Sequence, residues 1–342
     1  MTSRVRVAVL AGGRSSEHDI SVASARSVVA ALDPARYETS VIEIDRAGRW
    51  EIAGELVPGS DTTDLTPATE TLPVLASSSP ATVLGMVDVV LPILHGPFGE
   101  DGTVQGLLEL ADVPYVGAGV AASALCMDKD LFKAVLRDRG ISVAKNATLR
   151  DGDAIAHPFP YPVFVKPARL GSSVGISKVH DESELAPAVE LARRHDDKVL
   201  IEEGIDGVEV ECGVLGNRNA IASVVGEIVA HADWYDYSAK YDEGGMELVI
   251  PARISTESDA EVRRLAVDSF VATECEGMAR IDFFVRPDGE VVVNEINTIP
   301  GFTSTSVYAK LFEAAGISYA ELLDRLIALA LERHERRSRL EY

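Results

Sequence analysis

The sequence predicts an α/β protein that opens on a parallel sheet and continues as mixed α+β structure. Three observations predict it. Through the first hundred or so residues, short apolar runs alternate with helical patterns, as in strands joined by crossover helices. Beyond them strands come in closer succession, ending in the hairpin-like stretch "RIDFFVRPDGEVVVNEINTIPG" from Arg280 to Gly301. At 342 residues with 46% apolar composition, the chain is long enough for two or three buried domains.

In chain order, "VRVAVLAGG" reads as a first strand, "ISVASARSVVAAL" as a helix and "ETSVIEI" as a second strand. "VDVVLPILHG" and the helix "TVQGLLELA" complete the first group, and a boundary is expected near "VPYVGAGVAASAL". Between them, "VPGSDTTDLTPATETLPVLASSSP" is rich in Ser, Thr and Pro and reads as a solvated excursion, with no functional reading. The helix "KDLFKAVLRDRG" leads to strands "YPVFVKPA" and "GISKV" around a Gly/Ser loop, then to the helix "ESELAPAVELARRH" and the strand "KVLIEEGI". Strands "EVECGVLG", "SVVGEIVA" and "ELVIPA", the helix "DAEVRRLAVDSFVATEC", the hairpin and a helix from Tyr319 finish the chain.

A formal charge of −22 repels nucleic acid phosphates and anionic membranes, so a small-molecule partner is expected. Cys126, Cys212 and Cys275 are widely spaced with no Cys-x-x-Cys pair, which suggests neither a disulfide framework nor a zinc site. The first apolar run ends in glycines and charges with no small-residue cleavage site, so it reads as a buried strand and not a signal peptide. No apolar run reaches about 18 residues. A cytoplasmic protein is expected.

The hairpin carries the sharpest chemical signal. Residues two apart on a strand share a face, so Arg280 goes with Asp282 and Glu295 with Asn297. A two-residue Asp288-Gly289 turn sets Asp282 opposite Glu295 and Arg280 opposite Asn297. A three-residue Pro287-Asp288-Gly289 loop suits the sequence equally well, and it slips the pairing by one unless a second bulge restores it. If the pairs meet, the oxygen donors suit Mg²⁺. Otherwise the polar ends are simply solvated.

Other strand ends carry weaker signals. "LAGGRSSEHDIS" sets Gly12 and Gly13 before a helix start, a place for small anions, although Glu17 by itself reads as a first-turn carboxylate complementing the helix dipole. His95 in "LHGPFGEDG" reads, taken alone, as a structural histidine at a usual ligand position. In "FVKPARLGSSVGISKV", Lys166 ends a strand, and the loop from Gly171 to Gly175 with Ser172 and Ser173 suits a cover over phosphates or an ordinary hairpin loop. Glu202, Glu203 and Glu209 offer acceptors to an adenine amino group and a ribose, or are surface acids. Lys240 and Tyr241 in "DWYDYSAKYDEGGM" belong to a mobile lid or an exposed loop.

Together these stretches resemble the ATP-grasp superfamily, and within it the D-alanine-D-alanine ligases of bacterial cell-wall synthesis, over nearly the whole chain. The carrying residues are "GGRSSEHDIS", "LHGPFGEDGTVQG", "ASALCMDK", "KPARLGSSVG", "YDYSAKY", "ARIDFF" and "NEINTIPGFTSTS". The resemblance implies a three-domain ATP-grasp architecture, with an α/β domain over 1–120, a central subdomain over 121–203 and a C-terminal subdomain over 204–342. ATP would lie between the last two. By matching positions, Lys129 and Lys166 would contact phosphates, Glu202 adenine and Glu209 ribose, with Lys240 near the γ-phosphate and Ser173 in the covering loop. Asp282, Glu295 and Asn297 would hold two Mg²⁺ ions, with Mn²⁺ as a substitute.

The implied reaction has two steps: a D-alanine carboxylate attacks the γ-phosphate, and the amine of a second D-alanine attacks the acyl phosphate. Arg280 and the Gly301 N–H would stabilise the oxyanion, and Glu17, with His95 nearby, would bind the first ammonium. Ser172 and Tyr241 would link to Glu17 and act on the second amine, while Ser306 would hold the second carboxylate. A homodimer is expected from the resemblance. Ala279 and Val307 stand where several relatives carry Gly and Leu, which removes no functional group. A ligase joining D-alanine to D-lactate is the nearest rival, and a non-catalytic ATP-sensing module a more distant one that leaves Arg280 without a purpose.

Overall fold

The computed structural model describes residues 4–53, 84–230 and 246–341. The Ser/Thr/Pro-rich stretch at 58–80 and the expected lid residues Lys240 and Tyr241 lie outside the described residues.

The first sheet contains β1 (Val5–Gly12), β2 (Tyr37–Ile44), β3 (Trp50–Ala53) and β4 (Val89–Pro92) in the order β3-β2-β1-β4. β1 pairs in parallel with β2 and β4, as the alternating pattern predicts. β3 was not anticipated: it returns antiparallel along β2 after a turn in which Asp45 Oδ1 accepts from the N–H groups of Ala47 and Arg49. Helix α1 (His18–Ala31) covers one face, packing Ala25, Val28 and Val29 with Val7, Val9 and Leu91. Helix α2 (Thr103–Leu110) covers the other, where Val104 and Leu108 meet Ala8, Leu10 and Val90. Both faces being covered explains why β1 reads as a continuous apolar run.

Helices α3 (Val120–Met127) and α4 (Lys129–Asp138) follow, joined at Asp128, whose carboxylate caps α4 by accepting from Asp130 N and Leu131 N. The second sheet is antiparallel throughout, with β5 (Asn146–Leu149), β6 (Val163–Pro167), β7 (Ser177–Val179) and β8 (Val199–Glu203) in the order β5-β8-β6-β7. Helix α5 (Glu182–Arg193) buries Leu185, Ala188, Val189 and Ala192 against it.

The third sheet is also antiparallel, with β9 (Val208–Gly216), β10 (Ile221–Ala230), β11 (Met246–Val249), β12 (Gly277–Val285) and β13 (Val291–Asn297) in the order β11-β10-β9-β12-β13. One face packs on α6 (Thr256–Ala272) and also on α3 and α4: Ala122, Cys126, Phe132 and Leu136 share a core with Val210, Cys212, Ile281 and Phe283. The segment that precedes the second sheet in sequence therefore belongs to the core of the third. Helices α7 (Val307–Ala314) and α8 (Tyr319–Arg337) fill the space between the first and third sheets, in one cluster with Val7, Val9, Leu215 and Met278. Arg333 locks that junction from α8, donating to Tyr115 O at 2.6 Å and to Gly117 O, with its guanidinium 4.2 Å over the Tyr115 ring.

On β9, Gly213 leaves room for two fully buried rings: a Cβ there would lie 2.7 Å from Phe312 Cε2 and 3.1 Å from the Tyr308 ring. Gly213 also pairs with Arg280. Gly213→Ala is therefore expected to destabilise the protein by about 1–3 kcal/mol through overpacking. Urea unfolding measures this, and an unchanged midpoint would show that α7 moves away freely.

Candidate active site

The hairpin β12–β13 resolves the choice of register. Arg286 N donates to Glu290 O, Gly289 N donates to Arg286 O, and Gly289 takes φ +90, so the three-residue Pro287-Asp288-Gly289 loop forms. Near the turn Val285 pairs with Val291 and Phe283 with Val293. An irregularity follows, after which Asp282 faces Glu295 and Arg280 faces Asn297. The slipped turn and a second bulge together bring the four residues to one end. A bulge beside a functional cluster serves to re-aim side chains.

These charges compensate one another. Arg280 reaches Asp282 with two bonds of 2.8 Å and lies 2.9 Å from Glu211 Oε2 on the neighbouring strand. Burial opposes the guanidinium's charge, but Asp282, Glu211 and Glu295 outweigh it and hold its pKa well above the usual value. Asn297 Nδ2 donates to Asp282 Oδ2 at 2.9 Å, and Lys129 Nζ lies 2.7 Å from Glu295 Oε1. Asp282 and Glu295, with the amide oxygen of Asn297, form a hard-oxygen donor set. Among the described residues no group of three or more His, Cys, Asp or Glu is arranged to hold a metal by itself. The set suits an ion such as Mg²⁺ that is bound through one or two carboxylates and completed by phosphate oxygens and water. Glu209 lies on β9 opposite Phe284, two residues from Glu211 and so on the same face.

Above the hairpin's end stands a cluster of lysines. Lys129 and Lys133 occupy one side of α4, Lys166 is next to last in β6, and Glu202 is next to last in β8, diagonally across from it. All four are at least nine-tenths buried. Glu202 receives Lys133 on one oxygen and Lys166 on the other. Burial pushes its carboxyl up, and the two ammonium groups more than reverse this. Expected as an adenine contact, Glu202 stands in this structure as the counter-ion that makes a buried lysine cluster tolerable. Lys133 was missed by sequence reasoning, although its i,i+4 spacing from Lys129 was a signal. Burial and the neighbouring lysines push it down to about 8 against the pull of Glu202.

The loop after β6 has Ser172 at φ +53 and Ser173 at φ +58, a conformation that costs non-glycine residues about 1–2 kcal/mol each. It places Ser172 Oγ to donate to Glu17 Oε1, joining the second sheet's loop to the start of α1. Lys129 Nζ steadies that loop through Leu170 O at 2.8 Å. Gly96 leaves space for Glu17, whose Oε2 would lie 2.8 Å from a Cβ there. The expected pairing of Glu17 and Ser172 is thus present in the geometry.

His95 is the hydrogen-bonded structural histidine that its local sequence suggests, and it lies close enough to Glu17 to feel its charge. Its Nδ1 lies 3.0 Å from Ile299 O and its Nε2 3.4 Å from Ser24 Oγ, so both ring nitrogens have protein partners. Burial pushes its pKa down. Glu100, overlooked in "GEDG", accepts from Gly96 N at 2.6 Å and from Ile299 N at 3.1 Å. Burial and then Glu17 push its carboxyl up to about 8 against those two bonds. Gly301 and Ser306 lie close together: a Cβ at Gly301 would lie 3.4 Å from Ser306 Oγ, which accepts from Thr303 N at 3.0 Å.

Two outcomes are expected from these charges. Lys133→Met leaves Glu202 with one cation, and breaking a buried pair costs about 3–5 kcal/mol. Urea unfolding at neutral pH should detect most of that loss, and a neutral result would mean that water reaches Glu202. A carboxyl with a raised folded pKa binds more protons folded than unfolded, so its stabilisation is present at low pH and lost as pH rises through about 8. Glu100→Gln should therefore flatten the fall in thermal stability between roughly pH 5 and pH 8. Parallel pH profiles for the two proteins would contradict the raised value.

The family model described as D-ala D-ala ligase N-terminus matches residues 6–118, and that described as D-ala D-ala ligase C-terminus matches residues 135–328. A D-alanine--D-alanine ligase of Solibacter usitatus is 47% identical over 339 residues, covering 98% of each chain. Among solved structures, the VanG D-Ala:D-Ser ligase of Enterococcus faecalis superposes with a TM-score of 0.83 at 37% identity, over 96% of this chain and 100% of that one. The D-alanine--D-alanine ligase of Bacillus anthracis, complexed with ATP, gives 0.76 at 28% identity over 97% and 99%. With both family models matching and near-complete coverage at this identity, the chain belongs to the D-alanine-D-alanine ligase family.

Proposed function

We propose that this protein joins two D-alanine molecules into D-alanyl-D-alanine through an acyl phosphate, converting ATP to ADP and phosphate, and so supplies a peptidoglycan precursor. The observation that carries this reading is the convergence of Arg280, Asp282, Glu295 and Asn297 with Lys129 at one hairpin end. Family membership and the ATP-bound B. anthracis relative support the nucleotide. In this reading the nucleotide lies between the second and third sheets, with its phosphates at Lys129 and Lys166, under the loop of Ser173 and near Lys240. Its ribose sits at Glu209 and its adenine beside Glu202. We propose domains over 1–120, 121–203 and 204–342, with α3 and α4 at the start of the second lending their apolar sides to the core of the third sheet.

Two Mg²⁺ ions, or Mn²⁺, held by Asp282, Glu295 and Asn297 would neutralise charge on the phosphates. The protein groups do the rest. Glu17 fixes the first ammonium, which aims that substrate's carboxylate at the γ-phosphate. Arg280 and the Gly301 N–H face the negative charge that develops on the carbonyl oxygen during the second attack. Ser306 anchors the second carboxylate, while Ser172, through Glu17, and Tyr241 direct the second amine and take its proton. An acyl phosphate hydrolyses in water, so the reaction requires that water be kept from it. We place the enzyme in the cytoplasm as a homodimer. Among the described residues no helix is long and apolar enough to cross a membrane.

VanG, which joins D-Ala to D-Ser, favours a second reading in which the incoming nucleophile is not D-alanine. Phosphate release from ATP, with D-alanine, L-alanine, D-serine and D-lactate offered singly and in pairs, separates the two. D-alanine alone should suffice and L-alanine should not. Release requiring D-serine or D-lactate beside D-alanine would transfer the assignment to the second reading. Glu295→Gln tests the metal clamp separately: the thermal shift produced by magnesium with ADP should shrink, and ligation should fall by orders of magnitude. A full shift with near-normal turnover would put the metal elsewhere.

A further inference from the structure

The loop that carries Gly301 leaves β13 at Asn297 and must present its backbone N–H without a neighbouring strand to hold it. Thr298, Ile299 and Phe302 are almost fully buried, and Pro300 contributes no N–H, so few backbone groups are available to fix the loop's orientation. Both polar backbone groups of Ile299 are taken, and both by one segment of the first domain. His95 Nδ1 donates to Ile299 O at 3.0 Å, which fixes the ring tautomer, because a carbonyl only accepts. Ile299 N donates to Glu100 Oε1 at 3.1 Å. The other oxygen of Glu100 accepts from Gly96 N at 2.6 Å, so the segment is closed on itself. Ser15 Oγ donates to His95 O at 2.7 Å, tying it to the loop of Glu17.

We propose that His95 and Glu100 are a positioning pair that clamps Ile299 from both sides and so sets the Gly301 N–H for the reacting oxygen. The pair acts through the loop and touches no reacting atom. Glu100 and Ile299 are far apart in sequence, so the clamp is also the means by which the first domain, which holds Glu17, reports its position to the third, which holds Arg280. A partly buried carboxyl facing the like charges of Glu17 and Glu295 is an unfavourable arrangement for stability alone. Its two bonds, to Gly96 N and Ile299 N beside the loop of Gly301, fit a role in geometry. A loop displaced by about 1 Å from the productive position costs on the order of 10²-fold in rate.

The inference about Gly301 rests on the proposed ligation, and its test has an arm that does not. Glu100→Ala and His95→Ala should each lower kcat for ligation by about 10²-fold, with the KM for ATP within about 2-fold of wild type. Glu100→Gln keeps an amide oxygen that can accept from Ile299 N and should recover at least about tenfold over Glu100→Ala. Because both side chains hold one residue, the double variant should be little worse than the poorer single one. Independently of catalysis, amide hydrogen exchange at Ile299 and Gly301 should accelerate in Glu100→Ala while the core of β12 stays protected. Wild-type kcat in Glu100→Ala, a change confined to ATP affinity, additive losses in the double variant, or unchanged exchange at both amides would overturn the clamp. If wild type fails to join D-alanine, the function is wrong, and the exchange result alone decides whether Ile299 is clamped.

Discussion

A partly buried guanidinium among the carboxylates of an otherwise apolar sheet is the constraint around which this structure is organised. Arg280 stands on a central strand of the third sheet, and its charge is tolerable there only because Asp282 and Glu211 lie against it with Glu295 close by. The same carboxylates would repel one another without a cation between them. Arg280 and Lys129 supply that cation in the free protein, which leaves the site folded with its charges matched. A divalent ion arriving with phosphate would exchange one set of partners for another. The site is therefore preorganised electrostatically, without waiting for ligand to neutralise it.

The second consequence concerns where the lysines come from. The second cation at the hairpin, Lys129, is carried by an element outside it, and α4 can do this because its apolar side, Phe132 and Leu136, packs on the third sheet's core. The helix is thus held by one sheet while Lys129 and Lys133 point toward the second, where Glu202 balances Lys133 and Lys166 together. Asp128 has a double task at the start of the helix, capping it and accepting from Lys198 Nζ at 2.8 Å. Packing, capping and charge neutralisation here are one arrangement, and a change in any of them moves the cations.

The first domain reaches the same point through loops. The segments after β1 and β4 lie at the carboxyl ends of parallel strands, where open α/β sheets place ligands. From there Ser172 donates to Glu17, and His95 and Glu100 grip Ile299. Each contact crosses between sheets, and each involves a buried polar group that would be costly if its partner were lost. The meeting of the domains is accordingly specified by a few directional bonds set on a large apolar junction of α7 and α8.

What the sequence determined by itself was local and chemical. Alternating runs predicted the parallel β1, β2 and β4, and the spacing of Arg280, Asp282, Glu295 and Asn297 predicted a polar face on a hairpin. The motif order predicted the family. The register of that hairpin was undecided, because the Pro-Asp-Gly sequence fits two turns, and only the sheet's pairing shows the bulge beyond Asp282 that realigns the carboxylates. Short elements also escaped: β3 is a four-residue edge strand, and α3 is a helix of mostly small residues with little amphipathic contrast. Glu100 carried no distinguishing local pattern, and the i,i+4 spacing of Lys133 from Lys129 did not by itself show burial, since a charged residue on a helix or in a loop reads as solvated until tertiary packing buries it. His95 read as a hydrogen-bonded structural histidine, but nothing local named Ser24 and Ile299 as its partners. Residue types and periodicity fix which groups share a face of one element, but the partner across a domain boundary depends on how separate sheets dock, and that is decided by the packed core between them.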